Sequence, residues 1–169
     1  MAASPVLLLL YPIDFKALNW FCAILFAIAA LTDILDGYIA RSYNLESTFG
    51  ALLDPIADKI LAASALILLV HARLLPPLFG GLLIARDIWV SGVRLLSLER
   101  GQNIPVSPLG KIKTIVQDIA IFLLLTKADY IFDLPVRTIG LAGICGAIIL
   151  AGMSAYFYTK LFLDSTKQI

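Results

Sequence analysis

The chain has 169 residues, of which 60% are hydrophobic and 15% are charged, and its formal net charge is +1 at pH 7. Soluble domains contain about 45–50% apolar residues, so this composition and the mean hydropathy of +0.93 exclude an ordinary soluble protein and indicate one integral membrane domain over residues 1–169. A net charge near zero gives no reason to expect a nucleic-acid partner.

Six apolar stretches follow one another along the chain, and they predict an all-α bundle of six transmembrane helices. The first is too short to span a hydrocarbon core, which needs about 20 residues, so we expect it to be the end of a helix that is truncated in this chain. Turn-forming residues separate the stretches, and no internal repeat is visible. The stretches cover about 2–12, 17–42, 48–72, 77–99, 109–127 and 135–163.

The second and third predicted helices carry acidic residues at helical spacing. Asp33 and Asp36 share one face of the second helix, and Asp54 and Asp58 share one face of the third. Antiparallel packing of these neighbours would bring the two faces together. Ionisable groups at membrane depth are costly and by default mark functional sites. Ordinary ion pairs at helix ends would explain one such acid, but they explain four poorly.

Four neighbouring carboxylates in a low dielectric need compensating charge. Two divalent cations would supply it, because hard cations prefer oxygen ligands, and a two-metal site suits phosphoryl transfer. Arg41 continues the acidic face of the second helix and could bind a phosphate or diphosphate. Gly37 and Gly50 are small enough to let the helices approach or to leave room for a ligand. An acid that the metals use only in part could act as a general base.

From Asp33 to Asp58 the chain reads Asp-x2-Asp-Gly-x2-Ala-Arg-x8-Gly-x3-Asp-x3-Asp. It thereby resembles the CDP-alcohol phosphotransferase family over nearly its whole length. The resemblance implies a homodimer of six-helix subunits that moves a phosphatidyl or similar group from a CDP-linked donor to an alcohol. It implies two Mg²⁺ or Mn²⁺ ions bound by Asp33, Asp36, Asp54 and Asp58, with Asp58 also the general base. It assigns the CDP-diacylglycerol donor to Gly37, Arg41, Ser47 and Gly50.

The fourth helix and the start of the fifth resemble the branch of this family that makes phosphatidylglycerol phosphate, in segments 85–94 and 105–114. Arg86 and Arg94 are eight residues apart and share a helix face. Lys111 begins the next helix near the membrane level of Arg94. Three converging cations would bind a dianionic acceptor such as glycerol 3-phosphate.

The same cations have a simpler interpretation that does not involve a ligand. Arg86 could pair with Asp87 or Asp118, and Lys111 could be an interfacial anchor. We interpret Lys113 as such an anchor, and we interpret Asp87, Asp118 and Glu99 as partners of nearby cations or as interface residues. Lys59 is expected to point away from the acidic face, toward lipid head groups or a partner helix.

Other functions remain open at this point. Within the family, the acceptor could instead be phosphatidylglycerol, inositol phosphate or serine. Membrane prenyltransferases also combine acidic residues, metals and a diphosphate, although their acidic motifs have different gaps. A cation transporter could bury four carboxylates, but such folds often show inverted repeats or broken helices, and this chain shows neither pattern.

The distribution of Lys and Arg near the helix ends predicts the orientation. Six cations fall on the side of the 42–47 turn and four on the other, which favours a multi-pass protein of the cell membrane whose site faces the cytoplasm. The first group is Arg41, Arg100, Lys111, Lys113, Lys160 and Lys167, and the second is Lys16, Arg73, Lys127 and Arg137.

Overall fold

A computed structural model describes residues 3–11, 16–43, 48–100 and 107–166 of the chain; the side chains of 3, 33–43, 48–58, 98, 165 and 166 lie outside that description. These residues form six helices and no extended strand. The helices are α1 (Ala3–Leu10), α2 (Lys16–Tyr43), α3 (Thr48–His71), α4 (Pro77–Glu99), α5 (Pro108–Leu125) and α6 (Val136–Thr166). The predicted all-helical class is confirmed, and each helix ends within a few residues of its predicted bounds.

The transmembrane character of the individual helices is less uniform than their apolar composition predicted. Among the described residues, one segment, Val136–Asp164 of α6, is long and apolar enough to cross a membrane, with a mean hydropathy of 1.9. Shorter apolar helical segments lie at Lys16–Thr32 and Lys59–His71. In α4, Arg86, Asp87 and Arg94 interrupt the apolar sequence. Six spans therefore remain a prediction.

The helix ends follow from local chemistry. Pro77 is the first residue of α4, and Pro108 is the first of α5, after Ser107 in an extended conformation. Proline suits this position because its fixed φ is already helical and its missing N–H has no partner there. Between α5 and α6, Phe132 and Asp133 adopt positive φ values of 49° and 60°, which makes a tight reversal and lays α6 antiparallel to α5.

The most extensive contact between helices is that of α5 with α6. A Cβ atom at Gly140 would lie 2.8 Å from Cγ of Leu124, and one at Gly143 would lie 2.9 Å from Cβ of Ala120. The absence of side chains at these two glycines therefore lets the helix backbones approach closely. Buried apolar residues of all six helices form the main core around this contact. A smaller cluster, Val90, Val93 and Tyr158, joins α4 to the second half of α6.

Candidate functional site

A polar cavity of about 200 Å³ is lined by residues of α3, α4, α5 and α6. Its wall combines cationic, carboxylate, amide and hydroxyl side chains within a chain that is 60% hydrophobic. A pocket in which a few polar groups converge is the best candidate for a binding site. The described residues that line it are Lys59, Ala62, Arg86, Asp87, Val90, Ser91, Arg94, Gly110, Lys113, Thr114, Gln117, Asp118 and Tyr158.

Helix α4 presents one face to the polar cavity. Arg86, Val90 and Arg94 follow at intervals of four residues and therefore share that face. Asp87 and Ser91 lie beside it, and the Ser91 hydroxyl donates a hydrogen bond to the Asp87 carbonyl oxygen at 2.5 Å. The two α4 cations that the sequence singled out thus line one cavity.

Asp87 joins two cations from different helices. Its Oδ1 accepts hydrogen bonds from Arg86 Nη1 at 2.9 Å and from Lys113 Nζ at 2.7 Å, and its Oδ2 accepts from the same Nζ at 2.8 Å. The Lys113 side chain is only 1% exposed, so its ammonium needs this carboxylate to offset the loss of water. The prediction that Asp87 pairs with a nearby cation is confirmed, and the prediction that Lys113 is an interfacial anchor is wrong.

Arg86 is also held from the side of α6. Its Nη2 donates to Ser154 Oγ at 2.5 Å, and its Nε donates to the Ala151 carbonyl oxygen at 3.3 Å. With Asp87, these contacts fix the plane of the guanidinium. Arg94, in contrast, makes no hydrogen bond or ion pair with the part of the chain that the structure describes. Its guanidinium is therefore available to an anionic ligand in the cavity.

Helix α5 turns Gly110, Lys113 and Gln117 toward the cavity, at intervals of three and four residues. Lys111, which the sequence suggested as an acceptor-binding residue, is exposed and is not among the lining residues. Helical geometry explains the difference, because residues two positions apart point about 200° from each other around the axis. Lys113 thus occupies the inward position that the sequence reasoning gave to Lys111.

Tyr158 of α6 ties the start of α5 to the cavity. The backbone N–H of Ser107 donates to the Tyr158 hydroxyl oxygen at 2.6 Å, and both residues are buried. The sequence reasoning missed Tyr158 because an aromatic residue in an apolar helix is typical of packing. The available signal was its spacing from Ser154, which lies one turn earlier on the same face.

Helix α3 approaches the cavity just after the acidic signature. Lys59 and Ala62 both line the wall, and the expectation that Lys59 contacts lipid or a partner helix stays a prediction. Position 58 is one turn before Ala62 on α3, which brings the backbone of the signature close to the cavity. Among the described lining side chains, four are cationic and two are carboxylates, so the described lining has two more positive than negative side chains.

The other predicted site residues have undescribed side chains. Positions 33, 36, 37 and 41 are part of α2, and positions 50, 54 and 58 are part of α3. Within the described residues, no group of three or more His, Cys, Asp or Glu side chains could hold a metal ion. The description leaves out the side chains of the predicted metal ligands Asp33, Asp36, Asp54 and Asp58 and those of the predicted donor-binding residues Gly37, Arg41, Ser47 and Gly50.

An apolar groove of about 350 Å³ lies between α2 and α5. Asp118 lines both this groove and the polar cavity, so the two spaces share one wall residue. Small residues on α2 leave the groove open. Its lining residues are Phe26, Ala27, Ala30, Leu31, Ile115, Asp118, Ile119 and Phe122.

Comparisons with known proteins agree on one family. The family model for CDP-alcohol phosphatidyltransferase matches residues 1–155. Three curated relatives are named CDP-diacylglycerol--glycerol-3-phosphate 3-phosphatidyltransferase. The one from Wigglesworthia glossinidia brevipalpis is 38% identical over 163 residues, which covers 91% of this chain and 86% of that protein. The one from Rickettsia bellii is 40% identical over 124 residues, covering 73% and 68%. The one from Bacillus subtilis is 48% identical over 103 residues, covering 61% and 53%.

Proposed function

The chain belongs to the CDP-alcohol phosphatidyltransferase family, and we propose that it transfers the phosphatidyl group of CDP-diacylglycerol to sn-glycerol 3-phosphate, giving phosphatidylglycerol phosphate and CMP. The observation that carries the choice of acceptor is the polar cavity, whose described lining has two more positive than negative side chains. This excess complements a phosphate monoester dianion, whereas serine or phosphatidylglycerol would bring less negative charge. The names of the relatives give the same acceptor.

The acceptor phosphate binds to the cations of the polar cavity. Arg94 offers a guanidinium without a described partner, and its planar fork suits two phosphate oxygens. Arg86, on the same face of α4, and Lys113 of α5 are oriented by Asp87 and contribute further positive charge. Lys111, exposed and adjacent in sequence to the cavity-lining Gly110, attracts the anionic acceptor from outside the cavity.

The donor diphosphate binds where the acidic signature of α2 and α3 lies. A set of four carboxylates, from Asp33, Asp36, Asp54 and Asp58, has the oxygen donors that two Mg²⁺ or Mn²⁺ ions prefer. Bound there, the ions would neutralise the charge of the diphosphate and of the CMP leaving group. The CDP part of the donor is held by residues that include a cation and small side chains, namely Gly37, Arg41, Ser47 and Gly50.

The chain's own groups then carry the transfer. Asp58 accepts the proton of the 1-hydroxyl of glycerol 3-phosphate. The resulting oxygen forms a bond to the phosphorus that carries diacylglycerol, and the bond from this phosphorus to the oxygen bridging it to CMP breaks. The position of Ala62, one turn after Asp58 and in the wall of the polar cavity, supports this pairing of base and acceptor.

The lipid part of the donor requires access from a membrane. The family is membrane-associated, and the apolar groove between α2 and α5 offers hydrophobic walls for an acyl chain beside the polar cavity. We place the protein in the cell membrane as a multi-pass homodimer, with its site at the cytoplasmic face. The excess of Lys and Arg on the side of the 42–47 turn supports this orientation.

A CMP-release assay on the purified protein tests this proposal. CDP-diacylglycerol in detergent micelles is combined with Mg²⁺ and with one acceptor at a time: glycerol 3-phosphate, inositol phosphate, serine or phosphatidylglycerol. We expect rapid release with glycerol 3-phosphate, none with Asp58→Asn, and none after a chelator removes the metal. Preference for another acceptor would overturn the assigned acceptor, and full activity of Asp58→Asn would overturn its role as base.

A further inference from the structure

Gln117 is a buried amide in the wall of the polar cavity. It lies on α5 one turn after Lys113, and its exposed fraction is 1%. Its Oε1 atom is buried and accepts no hydrogen bond within the described part of the chain. A buried polar atom without a partner is costly, and such atoms in folded proteins usually have a specific reason.

The groups nearest to Gln117 along α5 already have partners. The Lys113 ammonium is held by both oxygens of Asp87, and the Thr114 hydroxyl donates to the Gly110 carbonyl oxygen at 3.2 Å. Neither group donates a hydrogen bond to Oε1 in the described part of the chain. A ligand that carries its own hydrogen-bond donor would satisfy it instead.

The chemistry of the cavity indicates which donor that is. Lys59, Arg86, Arg94 and Lys113 offer only N–H donors, which suit the oxygens of a phosphate but not a hydroxyl hydrogen. The carboxylate of Asp87 is occupied by two cations. The Gln117 amide oxygen can accept from a hydroxyl and, being neutral, does not repel a phosphate dianion.

We infer that Gln117 determines acceptor specificity by accepting a hydrogen bond from the hydroxyl of glycerol 3-phosphate that does not react, the 2-hydroxyl. This inference rests on the proposed function, because it concerns the same acceptor. The phosphate meets the cations, the 1-hydroxyl reaches the base, and the 2-hydroxyl fills the vacant bonding position at Oε1. A site built to bind a substrate hydroxyl discriminates strongly against an analogue that lacks it.

The test compares two acceptors on two proteins. Propane-1,3-diol monophosphate has the reacting hydroxyl and the phosphate of glycerol 3-phosphate but lacks the 2-hydroxyl. We expect the wild-type protein to prefer glycerol 3-phosphate by about tenfold in kcat/KM. In Gln117→Met, which keeps the length of the side chain but has no amide, the preference should fall to about one. The KM for CDP-diacylglycerol should not change.

Asn19 provides a matched control. It is a second buried amide whose Oδ1 has no described partner, and it lies on α2 away from the cavity lining. Asn19→Leu removes a comparable group and should keep the tenfold preference. If Gln117→Met does not fold, Gln117→Glu keeps an acceptor oxygen, so it should retain the preference while its added charge raises the KM for glycerol 3-phosphate.

The outcomes separate the inference from the proposed function. CMP release by the wild-type protein with an unchanged preference in Gln117→Met would overturn the role of Gln117 and leave the reaction assigned. Loss of the preference in Asn19→Leu as well would overturn it too, since the effect would then not be specific to the cavity. A wild-type protein that releases no CMP with glycerol 3-phosphate would overturn the proposed function and this inference together.

Discussion

The two halves of α6 meet α5 and α4 by different chemistry. In the first half, Gly140 and Gly143 allow Leu124 and Ala120 of α5 to approach without any polar contact. In the second half, Ser154 and Tyr158 make hydrogen bonds to Arg86 of α4 and to the residue before α5. One continuous helix thus begins in an apolar contact and ends in the wall of the polar cavity.

This difference predicts how substitutions in each half should change the stability of the protein. Contacts in the apolar half depend on shape, so a change there costs packing energy and leaves no charge unpaired. In the polar half, Lys113 and Asp87 depend on one another, so removing either leaves a desolvated group without its partner. The buried pair of Lys113 and Asp87 should therefore be more sensitive to a single substitution than the apolar contact.

Asp87→Ala, in the polar half, should give the largest loss of stability. It leaves the Lys113 ammonium, which is 1% exposed, without its carboxylate, and the loss of one partner from a buried pair costs about 3–5 kcal/mol. We expect a corresponding decrease in the free energy of unfolding, measured by denaturant titration in detergent. Asp87→Ala combined with Lys113→Met should recover most of that loss. No recovery in the double variant would mean that the pair itself is not the cause.

Arg94→Ala tests function in the polar half apart from stability. Because Arg94 has no described partner, the free energy of unfolding should change little, while the loss of charge-assisted bonds to phosphate should raise the KM for glycerol 3-phosphate roughly 10- to 100-fold. The KM for CDP-diacylglycerol should stay near its original value, as measured by CMP release. Arg137→Ala, outside the cavity, is the control. Equal effects on both substrates would contradict the acceptor role.

Gly143→Leu tests the apolar half. A Cβ atom at Gly143 would lie 2.9 Å from Cβ of Ala120, so the helices must move apart, at a cost of about 1–3 kcal/mol for overpacking. Thermal unfolding in detergent would measure the destabilisation. The matched control is Gly152→Ala, where a Cβ meets nothing within 4 Å, and this change should stabilise the helix by roughly 0.5–1 kcal/mol. Equal stability of the two variants would contradict the close contact.

Tyr158→Phe should give the smallest effect, again in the polar half. It keeps the ring that packs on Val90 and Val93 but removes the hydroxyl that accepts from the Ser107 N–H. A buried N–H without a partner should lower the free energy of unfolding by about 1–2 kcal/mol. Hydrogen exchange at the Ser107 amide should accelerate in this variant. Unchanged exchange would show that the hydroxyl does not protect it.

The helices could be predicted from the sequence because apolar runs, prolines and turn residues act locally. Arg86 and Arg94 could be placed together for the same reason, since two residues that are eight positions apart on a helix lie on the same face. The sequence could not predict whether Lys111 or Lys113 faces the cavity, because this depends on how α5 is rotated against α4 and α6. The positions of Asp87 and Tyr158 in the packed structure decide that rotation.

Gln117 shows a second limit of sequence reasoning. An amide in an apolar helix has no distinctive spacing, and whether its oxygen finds a partner depends on the packed surroundings. The acidic signature from Asp33 to Asp58, in contrast, could be recognised from the sequence, because its order and gaps carried the family resemblance. The family match agrees with that resemblance. Its ligand geometry remains a prediction.

The cations of the polar cavity have a consequence for turnover. In the proposed reaction, the phosphate of glycerol 3-phosphate that these cations would bind is not consumed, because the transfer takes place at the other end of the glycerol. The product would keep the same dianion, now attached to a lipid, so a cavity that binds the substrate in this way would also bind the product head group. We therefore expect product inhibition, with release into the bilayer limiting the rate, until a phosphatase reaction removes the group that the cavity recognises.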